Sequence, residues 1–342
     1  MCKYSKELTQ LRDDNGWDNK EWARRCCLNQ HILDYISSGN DIDEDTYVAI
    51  KTSTLNPVNK GADRLLRFKS PIVIATCIHK GGSGKTSCSM GISEALADMG
   101  YNVLLIDSDS QRDATSSFLD LNNNEDFLLA QQKNLYMSLA SGRDLKENII
   151  FAPSDGVENL DIVASDTRMA SIEAMLTAQS SIVPDVDFTF EKTLSGIKKD
   201  NYYDFVFIDM DKTIGQLNRI ILTACTHILV VSECAFFHLN GINVIQQQCE
   251  DVKKKTNPNL EMLGIVLNKY AKRKVITQET VSTIDEAWPG LRFKNTIRVD
   301  SAIEKSQWNN TPLIMYDKNS NGMKDMIKVA EEIIEKVSHM AV

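Results

Sequence analysis

Residues 80–86, Lys-Gly-Gly-Ser-Gly-Lys-Thr, directly follow the apolar stretch Ile-Val-Ile-Ala-Thr-Cys-Ile of residues 72–78 and its neighbour His79. The apolar stretch predicts a buried strand, and the glycine-rich stretch predicts a tight turn that leads into a helix. Glycines allow the backbone N–H groups of such a turn to point inward, and the helix N-terminus adds a partial positive charge. Together these features predict a cradle for phosphate groups.

Three side chains of this turn indicate which ligand it holds. Lys85 supplies a cation for the β- and γ-phosphates, and the Thr86 hydroxyl is a natural ligand for Mg²⁺. The spacing is typical of a P-loop, except that His79 replaces the usual first glycine. The second lysine, Lys80, is not needed to hold one nucleotide. It can instead neutralise phosphate charge across a dimer, as an arginine finger does in trans.

Two later stretches each end an apolar strand in a carboxylate. Residues 103–106 lead into Asp107 and Asp109, and residues 203–208 lead into Asp209. The second stretch has the Walker B pattern, in which the aspartate holds Mg²⁺ through water at the carboxyl end of a parallel sheet. These stretches predict a metal-dependent nucleotide site at one edge of the sheet.

With these motifs the chain resembles the ParA/MinD deviant-Walker ATPases, specifically the ParA (Soj-like) partition proteins. Residues 80–86 match the loop of that family fully. The family's second motif, Asp-x-Asp-Pro-Gln-Gly-Asn-Ala-Thr, is matched at Asp107, Asp109, Gln111, Ala114 and Thr115. Weaker matches follow in order, among them residues 264–268 and 297–298, so the resemblance covers about residues 71–338.

The sequence also departs from the family's motifs. Ser110, Arg112 and Asp113 stand where the second motif has Pro, Gly and Asn. Asp211 and Lys212 replace the Pro-Pro that usually follows Walker B. Losing those prolines removes a rigid turn, so we expect nucleotide state to be coupled differently to the neighbouring helix.

The resemblance implies a weak, Mg²⁺-dependent ATP hydrolase with ATP and Mg²⁺ as cofactors. It implies nucleotide contacts from Lys80, Gly81, Gly82, Ser83, Gly84, Lys85, Thr86, Ser87 and Asn268. Metal contacts are expected from Thr86, Asp107 and Asp209. The chemistry is expected from Lys80, Lys85 and Asp109, with Asp109 positioning the attacking water.

The resemblance also implies partners. Two ATP-bound chains would form a homodimer that binds DNA non-specifically through a basic surface, which includes Arg273 and Arg298. A ParB-type partner on a plasmid, phage or chromosome would stimulate hydrolysis and release the dimer. We therefore expect a cytoplasmic, nucleoid-associated protein. Two other functions stay open: an ATP-switched transcriptional regulator, and an ATPase that positions a protein cargo.

Composition limits these possibilities. The 342 residues are 42% apolar and 25% charged, which is typical of a globular protein with a large core. The net charge of −9 confines any DNA contact to a local patch. The eight cysteines include no C-x-x-C pair, which favours free thiols. No apolar run approaches the ~20 residues of a membrane-spanning helix, so we expect no membrane partner.

The alternation of apolar runs and helical patterns predicts an α/β fold with a doubly wound, mostly parallel sheet in residues 71–342. Strands are expected at residues 72–79, 102–107, 160–164, 203–209, 227–232 and 261–268. Helices are expected near residues 85–99, 167–178, 187–199, 214–225, 237–255, 276–287 and 323–338. Residues 119–133 are expected to be a polar loop.

Residues 1–55 predict a separate small all-α domain, joined by a linker over residues 56–70. Its spacing is that of a phage-repressor-like (Xre-type) helix-turn-helix, with a core predicted from Leu11, Trp22, Ala23, Leu28, Leu33 and Ile36. Residues 29–37 would form the recognition helix, with Gln30, His31 and Asp34 facing operator DNA. However, residues 5–51 contain six basic and ten acidic side chains. A helical docking or dimerisation domain therefore stays open.

The last helical pattern carries apolar residues at helical spacing from Met326 to Val337. Such a helix can bind a membrane surface or pack on the core. We place Glu331, Glu332 and Glu335 on its polar face, where anionic lipid would repel them. The pattern therefore favours packing on the core.

Overall fold

The computed structural model describes most of the chain from residue 68 onward and part of the chain before it. The described residues are 3–16, 18–19, 22, 30–40, 42, 46–47, 50–51, 54, 66, 68–77, 82–150, 157–180, 185–211 and 215–341.

A parallel sheet of six strands forms the centre of the described part of the chain. The strands are β1 (Ile72–Cys77), β2 (Val103–Asp107), β3 (Leu160–Val163), β4 (Phe205–Asp209), β5 (His227–Glu233) and β6 (Glu261–Asn268). Their order across the sheet is β3-β2-β4-β1-β5-β6, and every neighbouring pair is parallel. The predicted doubly wound α/β fold is confirmed, and each predicted strand is present to within about two residues of its expected ends.

The helices of the described residues either precede the sheet in the chain or cover its two faces. They are α1 (Lys3–Asp14), α2 (Gln30–Ser37), α3 (Lys85–Asp98), α4 (Asp113–Phe118), α5 (Asn124–Gln132), α6 (Leu135–Ser141), α7 (Met169–Ser180), α8 (Thr189–Asp200), α9 (Gln216–Ala224), α10 (Phe236–Lys255), α11 (Val275–Ala287), α12 (Ser301–Trp308), α13 (Leu313–Asp317) and α14 (Asn321–Val337). One core cluster contains residues of α7 to α11, and a second contains residues of α3, α13 and α14. Because helices cover both faces of the sheet, side chains on both sides of each strand are buried. Each strand sequence is therefore a nearly continuous apolar run.

One region expected to be a loop is partly helical. Residues 119–133 contain α5, so the expected polar loop is wrong over most of its length. The Asn123 side chain caps this helix by accepting a hydrogen bond from the backbone N–H of Glu125. Glu125 and Asp126 then lie in the first turn, where the helix dipole favours acidic residues. The polar residues that suggested a loop therefore start a helix.

The last helix, α14, packs on the core as expected. Met323, Met326, Val329, Ile333 and Val337 are buried, and a Cβ added to Gly91 of α3 would overlap the Met326 sulfur. The expectation for Glu332 is wrong, because this residue is buried instead of lying on the polar face. Its carboxylate accepts hydrogen bonds from the backbone N–H groups of Lys294 and Asn295.

The segment just before β1 lies next to the end of the described part of the chain. Phe68 forms an antiparallel bridge with Ala341, and its ring packs edge-on against Phe205 with centroids 5.4 Å apart. Both contacts lie near the amino ends of β1 and β4. The core of the ATPase-like part therefore includes a residue that precedes β1.

The described N-terminal residues include two helices and a small apolar cluster. Leu8, Trp22, Leu33 and Ile36 are fully buried together with Ile50. The expected core residue Leu11 is only half-buried, because Leu8, one turn earlier on α1, takes the inward position. Ala23 and Leu28 lie outside the described residues. The helix-turn-helix arrangement itself stays a prediction.

A polar network also joins the two N-terminal helices. Asn19 donates a hydrogen bond to the Asp34 carboxylate at 2.6 Å, and Arg12 donates to Asn19 and to Ser37. Asp34, which we expected to face DNA bases, is thus held within the unit. The side chains of Gln30 and His31 lie outside the described residues.

The sequence predicted free cysteine thiols and no membrane-spanning helix, and both predictions can be compared with the described residues. The cysteines Cys77, Cys88, Cys225, Cys234 and Cys249 are free thiols, as expected. No helix in the described ranges is both long enough and apolar enough to cross a membrane.

Candidate nucleotide site

The turn before α3 is described from Gly82 onward, and it has the backbone of a phosphate-binding loop. Gly84, the residue before α3, has a left-handed φ of 78°. A Cβ at Gly84 would lie 2.2 Å from the Asn268 side-chain nitrogen, so this position requires glycine for conformation and for space. Lys80 and Gly81 lie outside the described residues, and their expected roles stay predictions.

Lys85 and Thr86 at the start of α3 form a cluster with Asp209, in which Lys85 and Asp209 are buried and Thr86 is half-buried. Lys85 Nζ lies 2.6 Å from Asp209 Oδ1, and the Thr86 hydroxyl donates to Asp209 Oδ2 at 2.8 Å. Ser89 also donates to Asp209 Oδ1 at 3.0 Å. Burial alone would lower the pKa of Lys85, but the charge and hydrogen bond of Asp209, together with the charges of Asp109 and Asp107, outweigh it and raise that pKa. The lysine therefore stays charged at neutral pH.

The sheet register brings these groups together. Asp107 and Asp209 are direct neighbours at the carboxyl ends of β2 and β4, and Thr76 of β1 is the other neighbour of Asp209. The turn after β1 leads into α3, so Lys85 reaches the same edge. This clustering follows from the parallel sheet, in which all carboxyl ends lie on one side.

Asp107 is fully buried, and both of its oxygens accept hydrogen bonds. Oδ1 accepts from the backbone N–H of Asp109 at 3.0 Å, and Oδ2 accepts from the Thr115 hydroxyl and backbone N–H. Burial, followed by the nearby charge of Asp209, raises the pKa of Asp107 to about 7. Asp107 thus anchors both ends of the loop that carries Asp109, and its expected contact to metal-bound water stays a prediction.

Asp109 is half-buried at the edge of a cavity of about 440 Å³ that opens in front of the P-loop. Its Oδ1 accepts from the backbone N–H of Gln111 at 2.9 Å. Burial raises the pKa of Asp109, and the charges of Asp211 and Asp209 act in the same direction. This carboxylate therefore lies in the same cavity as Lys85 and Thr86.

This space, which we call the P-loop cavity, is lined on one side by residues 82–87 with Asp109, Gln111, Asp113, Asn268 and Lys269. The other lining residues, which we call the far wall, are Arg298, Val299, Asp300, Ile303, Glu304 and Gln307. The volume of the cavity is within the range of small-molecule and cofactor sites, about 300–1,000 Å³. Phosphate-binding elements and a mixed set of polar and apolar side chains thus line one space.

Asn268 and Lys269 support the P-loop from the end of β6. The Asn268 side-chain nitrogen donates to the Ser83 carbonyl at 2.7 Å, and Lys269 Nζ donates to the Gly82 carbonyl at 2.7 Å. Lys269 also pairs with Glu233. Asn268, expected to bind nucleotide, therefore lines the cavity and at the same time fixes the loop backbone.

Our sequence reasoning missed most of the far wall. Val299, Ile303 and Gln307 were not assigned to the site, although the Gln307 amide donates to the Ser87 hydroxyl at 2.6 Å. The sequence holds one usable signal: Asp300 caps α12 by accepting from the backbone N–H of Ala302. That signal predicts a helix start, but it does not indicate which site the helix faces.

The two expected DNA contacts lie in different surroundings. Arg298 pairs with Asp325 through two hydrogen bonds of 2.7 and 2.8 Å and belongs to the far wall. Arg273 is exposed in the turn before α11. The structure therefore does not bring Arg273 and Arg298 together in the P-loop cavity.

The donor set of the site suits Mg²⁺. Thr86 and Asp209 offer a hydroxyl and a carboxylate, and Mg²⁺ is held by oxygen ligands together with substrate phosphates. Within the described residues no group of three or more His, Cys, Asp or Glu side chains could hold a metal ion without other ligands. The residues therefore fit a metal that arrives with a nucleotide.

The chain is similar to known proteins over most of its length. Residues 72–262 match the model of an AAA domain family. The chain is 25% identical over 266 residues to the chromosome partitioning protein ParA of Caulobacter vibrioides, covering 77% of this chain and 94% of that protein. It is 26% identical over 263 residues to the sporulation initiation inhibitor protein Soj of Bacillus subtilis, covering 76% and 97%.

A solved structure shares the fold. Cobyrinic acid a,c-diamide synthase from Mycobacterium smegmatis, solved with a bound ATP analogue and magnesium, superposes with a TM-score of 0.63 at 22% identity. The match covers 76% of this chain and 93% of that one. At this identity the similarity shows the fold alone.

Proposed function

The chain belongs to the AAA domain family, in the ParA/Soj-like group of partition ATPases, and from this premise we propose that it hydrolyses ATP to partition DNA. The observation that carries the proposal is the grouping of Lys85, Thr86 and Asp109 at one cavity of about 440 Å³, with the buried Asp209 bonded to Lys85 and Thr86. A fixed cation, an oxygen pair for a metal and a carboxylate at the rim are the parts that phosphoryl transfer needs.

Each residue has a distinct role in this proposal. Lys85 Nζ, now held by Asp209, binds the β- and γ-phosphates. The Thr86 hydroxyl would hold Mg²⁺ directly and the Asp209 carboxylate would hold it through water, and the metal would neutralise phosphate charge. The Asp109 carboxylate accepts a hydrogen bond from the attacking water and orients it. The N–H groups of residues 82–87 hold the phosphate oxygens.

We further propose that two ATP-bound chains pair and that each inserts Lys80 toward the phosphates of the other. The dimer binds DNA non-specifically on the nucleoid through a surface that includes Arg273. A ParB-type partner stimulates hydrolysis and thereby releases the dimer. These steps rest on the resemblance of residues 80–86 to the family's loop.

ATP binding and phosphate release by single variants test the nucleotide roles. Lys85→Ala should abolish binding, because the phosphates lose their cation. Asp109→Ala should bind ATP but not cleave it. Lys318→Ala is the matched control, because this exposed lysine pairs with Asp98 away from the cavity. An equal loss of ATP binding in Lys85→Ala and Asp109→Ala would contradict the assigned roles.

Light scattering with ATP and with ADP tests the dimer. Lys80→Ala should leave nucleotide binding by the monomer nearly intact and prevent ATP-dependent pairing, because two polyphosphates would then repel each other. An unchanged dimer in this variant would rule out the shared-lysine arrangement.

We propose as a second function that the N-terminal unit binds operator DNA and regulates the protein's own promoter. The observation that favours it is the separate apolar cluster of Leu8, Trp22, Leu33 and Ile36. Deleting residues 1–55 should abolish a promoter footprint and spare ATP hydrolysis. If the intact chain gives no footprint and the deletion removes stimulation by the partner, the unit is a docking domain.

A further inference from the structure

Ser165 lies beside the loop that carries Asp109, although it belongs to a different part of the chain. Strand β3 pairs with β2 so that Val163 is the neighbour of Ile106. The two residues after β3 therefore continue alongside the start of the loop that follows Asp107. Ser165 is 2% exposed, so its hydroxyl is shielded from water.

Ser165 contacts this loop at two points. Its hydroxyl donates to the Asp109 carbonyl at 2.7 Å, and its backbone N–H donates to the Thr115 hydroxyl oxygen at 2.8 Å. The Thr115 hydroxyl in turn donates to the Asp107 carboxylate at 2.7 Å. One buried chain of hydrogen bonds thus runs from Ser165 through Thr115 to Asp107.

The main chain of Asp109 is consequently held on both sides. Its N–H donates to Asp107, and its carbonyl accepts from Ser165 and from the Arg112 N–H at 3.1 Å. Arg112 has a left-handed φ of 62° in the tight turn that follows. The Ser165 hydroxyl is therefore the contact by which the end of β3 fixes the residue whose carboxylate faces the P-loop cavity.

The segment that carries Ser165 is itself anchored. The Asp166 carboxylate accepts from the backbone N–H of Arg168 at 2.7 Å, which fixes the turn into α7. On α7, the Glu173 carboxylate accepts from the backbone N–H groups of Gln216 and Leu217 at the start of α9. A Cβ on Gly215 would lie 2.5 Å from that carboxylate. Ser165 is thus a fixed point on a braced segment.

We propose that Ser165 is a positioning residue that holds the Asp109 carboxylate in the place where it orients water. The proposal rests on the proposed ATP hydrolysis. Orientation is a large part of catalysis, and small displacements of a positioned group lower the rate without weakening binding. A residue that merely packs the β3 end would affect stability and leave the balance between binding and turnover unchanged.

Kinetics of Ser165→Ala give the first test. We expect kcat to fall about fivefold to tenfold with unchanged affinity for a non-hydrolysable ATP analogue, because one buried hydrogen bond to the Asp109 carbonyl is lost. Ser165→Cys keeps the size but donates weakly, so it should lose nearly as much. Ser171→Ala is the matched control, because its hydroxyl donates only to Arg168 within an exposed turn of the same segment.

A double-mutant cycle shows whether Ser165 acts through Asp109. In an Asp109→Asn background, whose amide oxygen still accepts a hydrogen bond from water and leaves a slow turnover to measure, Ser165→Ala should cause a much smaller loss of kcat than in the wild-type chain. A further loss of the same size in that background, or a parallel loss of analogue affinity in Ser165→Ala, would overturn the proposal.

Hydrogen exchange of the full-length chain without nucleotide gives a readout that does not depend on activity. In Ser165→Ala, amides of residues 109–116 should exchange at least about fivefold faster, because the turn loses its outer contact, while residues 205–209 should be unaffected. No acceleration would overturn the proposal. If the wild-type chain hydrolyses no ATP, the proposed function fails, and this measurement still decides whether Ser165 holds the loop.

Discussion

The phosphate-facing side of the P-loop cavity and its far wall are built from differently organised parts of the chain. Residues 82–87 and Asp109 lie close after β1 and β2, and the buried Asp209 behind them ends the strand between these two, whereas the far wall belongs to α12 and the residues just before it. Gln307 contacts Ser87 although 220 positions separate them. One side is therefore defined by local sequence, and the other by tertiary packing.

This difference reflects what each side must do. Holding phosphate requires backbone N–H groups, a fixed cation and glycines. These requirements restrict the local sequence to a recognisable motif. Lining the rest of a ligand requires shape and apolar contact, which many residue combinations supply. We infer that the two sides tolerate substitution very differently, and the predictions below test this.

The largest expected effect is at Lys85. Lys85→Gln should weaken binding of both ATP and inorganic triphosphate more than 100-fold. Glutamine complements the Lys85→Ala variant, because its amide can still donate a hydrogen bond toward the Asp209 carboxylate while the cation is removed. Calorimetry with both ligands is the measurement. A variant that retains triphosphate binding would show that the phosphates are held elsewhere.

A smaller and more selective effect is expected at Val299, which is 63% exposed in the far wall. Val299→Ser should weaken ATP binding about fivefold by removing apolar contact and leave triphosphate binding unchanged. Val275→Ser is the control, because Val275 is 69% exposed at the start of α11, outside the residues that line the cavity. Equal losses for ATP and triphosphate would mean that the two sides are not functionally separate.

Charge reversal separates Arg298 from Arg273. From the sequence we would expect both reversals to weaken DNA binding and to spare ATP affinity. The structure changes this expectation for Arg298, because Arg298→Glu would place a carboxylate beside Asp325 in the far wall. We now expect Arg298→Glu to lower ATP affinity several-fold and Arg273→Glu to lower only DNA retention. Filter binding at two salt concentrations, with ATP titrations, distinguishes the two variants.

The smallest expected effect is at Glu94, a residue of α3 whose side chain contacts the segment that follows the far wall in the chain. Its Oε2 accepts from the backbone N–H of Ile314 at 2.8 Å, and Oε1 is buried without a hydrogen bond from the described residues. Burial raises the pKa of Glu94 to about 7. An acid with a raised pKa stabilises the fold below its unfolded value near 4.5, and this contribution is lost as the pH rises toward 7.

Glu94→Gln should therefore be increasingly more stable than wild type as the pH rises from 5 to 8. The expected change is about 2–3 kcal/mol, or several degrees in melting temperature. Thermal melts of both proteins at several pH values measure this difference in stability. Because other titrating groups such as Asp107 are the same in both proteins, their contributions cancel. A constant difference across this range would contradict a protonated Glu94.

The sequence allowed prediction of the sheet and of the phosphate-facing side for the same reason. Strands such as β1 and β4 are buried on both faces, so each is a continuous apolar run, and the carboxylates at their ends mark the site edge. The family resemblance predicted only that Asn268 binds nucleotide, and its contact with Ser83 could not be predicted, since the two residues meet by tertiary packing.

Other features could not be predicted because the deciding interaction is not local. Leu8 replaces Leu11 in the N-terminal cluster because of the way α1 faces α2, and both leucines suit an amphipathic helix equally well. Glu332 looks like a surface residue until the N–H groups of Lys294 and Asn295 are placed beside it. The pairing of Arg298 with Asp325 likewise joins two polar residues that neither motif nor periodicity connects.

The bridge between Phe68 and Ala341 has a practical meaning for experiments on this chain. Two points that are far apart in sequence lie side by side near the amino ends of the strands, whereas the P-loop cavity is at the carboxyl ends. A fluorophore or fused protein attached near residue 341 would therefore leave the cavity open and report on the neighbourhood of residue 68. In a fragment of residues 68–341, the same proximity would allow a short linker to join these two points.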